Sequence, residues 1–157
     1  MAGEKLYTDG EIKLHLAHVI PKGQPVTGNV PIYYYRIRLL DDTEVGRCDL
    51  RIGHNAQILI AGHIGYSIWQ EHRGHHYAAK ACRLLMQIAL AQGMDELIIT
   101  CEPQNIASRR TCEAIGAKLQ TIIDVPKDSL DYALGCRQKC QYKIALTSKD
   151  ALPNDFS

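Results

Sequence analysis

Residues Ile68-Trp-Gln-Glu-His-Arg-Gly-His-His-Tyr-Ala78 gather three histidines, an arginine and a glycine between two apolar runs. A strand ending near Trp69, a short polar loop and a helix starting near His75 or His76 would leave backbone N–H groups unpaired at the helix start. The helix dipole there is worth about half a positive charge. A strand–loop–helix of this kind is an anion site. Gly74 lets the backbone approach an anion closely, and Arg73 can add a charged fork to phosphate. The plainer alternative is an ordinary strand-to-helix connection with a solvated arginine. His72, His75 and His76 lack the HExxH pattern, and Cys136-x-x-x-Cys140 adds nothing at zinc spacing, so no metal is expected.

The elements that must position these groups fit in about one domain, since the chain has 157 residues. A chain of this size buries roughly 68–70% of its unfolded surface, enough for a core without staples. Hydrophobic residues make up 46% and charged residues 22%, which excludes collagen-like, disordered and coiled-coil classes. Eighteen basic against 17 acidic residues give +1 with neutral histidines. That balance argues against a nucleic-acid protein working through bulk electrostatics. Six cysteines could form three bridges in principle. Cys82 and Cys101 lie in apolar runs, however, where a reduced thiol behaves as a small hydrophobe. No apolar h-region follows Met1 and no apolar stretch approaches ~18 residues, so a reducing, cytoplasmic location off the membrane is the expectation.

The first half reads as strands. Glu11–His18 alternates polar and apolar, Ile32–Leu40 is rich in β formers, and Glu44–Ile52 reads as its returning partner after the turn signal Asp41-Asp42-Thr43. Gln57–Trp69 reads as another strand broken by Gly62 and Gly65, where glycine marks a bulge or a close approach. In Tyr33-Tyr34-Tyr35, Tyr33 and Tyr35 share a face, which suits sheet packing better than a stacking platform. The second half alternates. Tyr77–Gln92 is a largely buried helix with Gly93 as its cap, Glu96–Cys101 a buried strand, and Asn105–Ile115 a helix stopped by Gly116. Lys118–Val125 and Gln141–Leu146 read as late strands. The expectation is one α+β domain over residues 1–157, with its core at about 11–147, a loop at Pro21–Gly28 and a frayed tail at Lys149–Ser157. Its sheet is mixed and mostly antiparallel, flanked by helices.

Arg73-Gly-His-His-Tyr-Ala78 resembles the acetyl-CoA signature Q/R-x-x-G-x-G/A of the GNAT superfamily of N-acetyltransferases. Asn105-Ile-Ala-Ser-Arg-Arg-Thr-Cys-Glu-Ala-Ile-Gly116 is similar to that family's second signature, N-x-x-S-x-x-x-x-E-x-x-G followed by an aromatic. The two blocks stand in order, joined by a helix and a strand, and the resemblance covers about residues 57–120. Its detailed pattern is closest to the branch that acetylates N-terminal amines of ribosomal proteins. The resemblance implies acetyl transfer from acetyl-CoA, as co-substrate, to the primary amine of a small molecule or peptide N-terminus. It implies that Arg73, Gly74, His75, His76, Tyr77 and Ala78 bind the pyrophosphate, mainly through backbone N–H groups. The backbone of Ile68 would pair with the pantetheine arm, Asn105 would bond nearby, and Ser108 would lie near the thioester sulfur. A homodimer stays open.

Three departures stand out. His76 occupies the second glycine position, which is tolerable if φ is negative there and the side chain turns away from the phosphates. Cys112 stands where many members carry a tyrosine proposed as general acid, and Ala117 replaces the usual aromatic. The reaction needs a base to take the ammonium proton and a donor for the departing thiolate, whose pKa is ~8.5. Ser108 is the candidate donor, with capping of the helix as its plain alternative. Cys112 is a second donor, more often a core residue at such a position. His63, with a pKa of ~6.5, is the candidate base, against a histidine satisfied by a sheet neighbour. Glu71 or a water chain could also serve as base. The rival class is a module that binds CoA or a partner without turnover.

Overall fold

In a computed structural model of the chain, residues 6–23 and 30–147 are described. The loop expectation at 21–28 is therefore met by description only to Gly23, and the tail at 149–157 lies outside the described residues. Among the described residues, eight strands and four helices follow in order: β1 Tyr7–Thr8, β2 Ile12–Ile20, β3 Ile32–Leu39, β4 Glu44–Arg51, α1 Ile58–Ala61, β5 Ile64–Ile68, α2 Tyr77–Ala91, β6 Glu96–Cys101, α3 Ile106–Ala114, β7 Lys118–Asp124, α4 Leu130–Ala133 and β8 Gln138–Ala145.

The sheet expected from sequence is divided. Strands β1-β2-β3-β4-β5 form one sheet and β6-β8-β7 another, and every paired neighbour is antiparallel. Among the described residues, paired hydrogen bonds tie His63, just before β5, to Ile98 of β6. His63 N–H donates to the Ile98 carbonyl at 2.7 Å, and Ile98 N–H donates to His63 Nδ1 at 2.9 Å. No ladder joins β5 to β6 beyond that point, so the strands part and leave an opening between the sheets.

The run Gln57–Trp69 is not one strand. Asn55 Oδ1 accepts from the Gln57 and Ile58 amides and starts the short turn α1. Ile58 then packs with Val30 and Ile98 in a small cluster apart from the main core. Thr100 Oγ1 donates to the Ile60 carbonyl at 2.8 Å, and Gln141 Nε2 donates to the Leu59 carbonyl at 3.0 Å, tying α1 to the second sheet. Gly62 turns the chain from α1 into β5 at φ +75. A Cβ there would stand 3.1 Å from both the Ile98 oxygen and the Thr100 nitrogen. The close approach read from this glycine is real.

Helix α2 covers the inner face of the first sheet. Its buried side chains, among them Cys82, Leu84, Leu85 and Ile88, join Ile12, Ile37, Leu50 and Leu97 in one core. Its C-terminus closes as a Schellman motif on Gly93: Met94 N–H donates to Ala89 O and Gly93 N–H to Leu90 O, both at 3.0 Å. Helix α3 ends in the same way on Gly116. Arg83 NH2 donates to the Ala114 carbonyl at 2.9 Å and holds α3 beside α2.

Candidate active site

Two cavities open where the sheets part. The larger, of about 830 Å3, runs from the end of β5 over the start of α2 to α3. The smaller, of about 300 Å3, lies between β4, β5, β6 and β8. Tyr66, Asn105 and Ser108 line both and mark the place where they join.

At the far end of the larger cavity, Gln70–His72 forms a single 3-10 turn before the chain rises into α2. Gly74 takes φ +93 and His76 takes φ +63, ψ 24, immediately before Tyr77. The negative φ that would make a side chain tolerable at His76 is not what the chain adopts: the position is left-handed, as the signature's glycine would allow, and a β-carbon occupies it. The first backbone bond into the helix is Lys80 N–H to His76 O at 3.1 Å. The amides of Tyr77, Ala78 and Ala79 precede it and form the donor group of a helix N-terminus. Arg73, Gly74, His76, Tyr77 and Ala78 all border the cavity. His75 does not border it, and its ring stacks on Tyr77 with centroids 5.2 Å apart. Arg73 Nε donates to the Ile68 carbonyl at 3.1 Å, so the arginine lies back across the strand end. Ile68 is in the cavity wall, but its carbonyl already has a partner.

Asn105 caps α3: its Oδ1 accepts from Ser108 N–H at 3.1 Å. That bond holds Ser108 one turn into the helix, facing both cavities. The Tyr66 hydroxyl lies beside those of Ser108 and Thr111. It is fully buried and makes no properly directed hydrogen bond. Burial pushes this phenol well above its ordinary range, which keeps it a neutral O–H donor. Sequence reasoning passed over Tyr66. The signal was present: a tyrosine directly after Gly65 on the strand that borders the opening.

The structure gives His63 a different task from the base expected of it. The residue is 1% exposed. Its Nδ1 accepts from Ile98 N–H, and its Nε2 lies 2.8 Å from the Gly53 carbonyl. A carbonyl only accepts, so Nε2 must carry the proton and the ring is neutral with both nitrogens committed. Burial lowers its pKa further. Cys112 is likewise removed from the site. It is fully buried, its thiol is held up by hydrogen bonding to Cys101 and by burial, and it lines neither cavity. Glu71 is exposed in the 3-10 turn. The Tyr142 hydroxyl accepts from Arg109 Nε at 3.1 Å.

The smaller cavity holds a carboxylate that the sequence reading did not single out. Asp49 lies on β4 directly opposite Gly65 of β5. A Cβ at position 65 would come within 2.7 Å of Asp49 Oδ2, so only glycine leaves room for this carboxylate. Burial raises the Asp49 pKa above the usual carboxylate value, opposed by Arg51, Arg47 and the Gly65 amide. Arg51 NH1 stands 3.5 Å from Asp49 Oδ1. Lys139 of β8 enters the same cavity and pairs with Asp131 at 3.5 Å. All six cysteines are buried thiols. Among the described residues, no three His, Cys, Asp or Glu side chains are grouped to hold a metal, and no helix is long and apolar enough to cross a membrane.

Solved structures of this fold include ribosomal-protein-S5-alanine acetyltransferase from Vibrio fischeri, with 14% identity, a TM-score of 0.66 and coverage of 92% of this chain and 98% of that one. RimL, a ribosomal-protein α-N-acetyltransferase solved with coenzyme A, has 14% identity, a TM-score of 0.66 and coverage of 90% and 98%. Mycobacterium smegmatis RimJ, solved with CoA-disulfide, has 19% identity, a TM-score of 0.58 and coverage of 73% of this chain. The chain spans about half the length of RimJ and 65% of an acetyltransferase from Bacillus anthracis. No protein of curated function matches it in sequence. The sequence model of the acetyltransferase (GNAT) domain matches residues 4–118, and the chain belongs to the GNAT acetyltransferase family.

Proposed function

We propose that this protein transfers the acetyl group of acetyl-CoA to a primary amine, by direct attack of the amine on the thioester. The observation that carries the reading is the junction at Tyr66, Asn105 and Ser108. There a cavity ending in unpaired helix amides meets a smaller one holding a half-buried carboxylate. The size and shape of the larger cavity suit an elongated anionic molecule. The Tyr77–Ala79 amides and Arg73 would hold its phosphates. For that, Arg73 must release Ile68 O, which frees the carbonyl to accept from the pantetheine arm.

At the junction, the chain's residues divide the proton work. Asp49, with its pKa raised by burial, is the candidate to accept the proton of an incoming ammonium. The Tyr66 hydroxyl is the leading donor toward the departing sulfur, with Ser108 beside it. Both Tyr66 and Ser108 border the point where the cavities join, and the Tyr66 proton has no directed partner. His63 acts here as a positioning residue that pins the strands at the apex of the opening. The RimL and S5-alanine acetyltransferase likenesses make a peptide N-terminus one acceptor class to test and small amines another.

The test is release of coenzyme thiol from acetyl-CoA in the presence of a panel of peptides and small amines. Amine-dependent release with a matching N-acetyl product is the expected result. Acetyl-CoA binding without release by any amine would leave a binding module instead. Absence of acetyl-CoA binding at millimolar concentration would overturn both.

A further inference from the structure

The smaller cavity has more charge than a plain amine needs. Asp49, Arg51 and Lys139 all line it, giving one anion and two cations within about 300 Å3. These side chains are withdrawn from water: relative exposures are 22% for Asp49, 26% for Arg51 and 15% for Lys139. Partly buried cations need counter-charges. In the protein as it stands they share weak ones. Arg51 leans on Asp49 at 3.5 Å, a single contact rather than a two-pronged pair. Lys139 leans on Asp131, which is 39% exposed and therefore screened by water. An acceptor ammonium arriving at Asp49 would compete with Arg51 for that one carboxylate and leave the guanidinium under-compensated.

We propose that the acceptor of this enzyme is a small molecule carrying a free carboxylate a few bonds from its amine, an amino-acid-like zwitterion, with Asp49 taking the ammonium and Arg51 and Lys139 taking the carboxylate. This deepens the acetyl-transfer reading and rests on it. Asp49 and Arg51 stand two residues apart on β4, so both project from one face of the strand, with Cα atoms about 6.6 Å apart. Lys139 comes from the second sheet, across the opening. A carboxylate between it and Arg51 bridges the two sheets, and arginine offers carboxylates a two-pronged geometry. The volume, at the lower end of the range for small-molecule sites, suits one such molecule. Peptide amines fit less well, because their first carbonyl is an uncharged amide.

The experiment compares free α-amino acids with their matched α-amides as acceptors, reading kcat/KM for acetylation. In parallel, calorimetry measures binding of the corresponding N-acetyl acids and N-acetyl amides to the CoA-loaded protein. The expected result is a preference of about ten- to hundredfold for at least one free acid over its amide, the worth of a charge-assisted hydrogen bond. Arg51→Met and Lys139→Met should each shrink that ratio toward one, and Arg51→Lys should restore part of it. Equal use of acids and amides, preference for the amides, or acetylation confined to peptides or carboxylate-free amines would overturn the inference and leave acetyl transfer standing. Should no amine at all be acetylated, the transfer reading fails by itself. The calorimetric pair still decides: tighter binding of the acid form supports the carboxylate site, and equal or absent binding rejects it.

Discussion

Tyr66 borders the point where the two cavities join, and its hydroxyl is buried beside Ser108 and Thr111 with no directed partner. An unsatisfied buried donor costs about 1–3 kcal/mol, so Tyr66→Phe should leave the melting temperature unchanged or higher. If this group protonates the departing sulfur, the same variant should lower kcat by ~10²–10⁴ with little change in the CoA dissociation constant. Ser108→Ala, measured beside it, decides between the two hydroxyls, and normal turnover by both variants assigns the proton to water. Asp49→Asn should cost a similar ~10²–10⁴ in kcat and remove the acid limb of the kcat/KM profile. In the parent protein that limb should lie above the ordinary aspartate value of 3.8, because burial raises this carboxyl. His63 affects stability instead. Its folded pKa lies below its value of 6.5 in the open chain, so the unfolded state binds more protons between the two. Stability is complete above about pH 6.5 and declines as pH falls toward the depressed folded value. Chemical denaturation from pH 7.5 to 5 should show this slope, and His63→Gln should flatten it at the cost of lower stability throughout.

Two element boundaries carry the site, and each can be perturbed alone. At the start of α2, His76 sits in left-handed backbone that costs a side-chain-bearing residue roughly 1–2 kcal/mol. Glycine escapes that strain but loses about 0.5–1 kcal/mol in chain entropy. His76→Gly should therefore hold or raise the melting temperature, whereas the β-branched His76→Val should lower it. Between β4 and β5, Gly65→Ala places a methyl group 2.7 Å from Asp49 Oδ2. The carboxylate must swing away, so amine turnover should fall while CoA affinity, governed by the larger cavity, stays near the parent value. A loss of CoA binding in this variant would mean that the cavities are not independent.

At the scale of the whole molecule, the two sheets are held at the His63–Ile98 contact, by α1 and by the helices, and part elsewhere. A ligand lying between them adds contacts to both. Acetyl-CoA at ~100 times its dissociation constant should stabilise the fold by ~2.7 kcal/mol, about 5–10 °C in melting temperature for a domain of this size. An unchanged melting temperature at millimolar acetyl-CoA would contradict the assignment of the larger cavity. Pairing an acetyl-CoA analogue with a bound acceptor should raise the midpoint further, since the acceptor's own cavity also spans the parting.

Local sequence determined what depends on local physics. Tyr77–Ala91 was legible because its few polar residues fall on one helical stripe, and Gly93 and Gly116 because glycine readily takes the left-handed backbone in which both helices end. Glu96–Cys101 was legible as a short apolar run. The proposed phosphate end rests on local physics too, because a helix start after a strand presents its own amides, whatever lies elsewhere. Ile58–Ala61 was misread as strand because a four-residue apolar run has no period, and contacts to Thr100 and Gln141, far along the chain, decide its conformation. Only the tertiary structure decided which side chains meet at the junction. His63 turned from candidate base to structural pin because Gly53 and Ile98 arrive at its two nitrogens. Asp49 enters the smaller cavity because β4 pairs with β5 in a register that sets it opposite Gly65. A strand's alternation announces which side chains share a face, but the strand it will face, and the charge it will meet there, are properties of the folded chain.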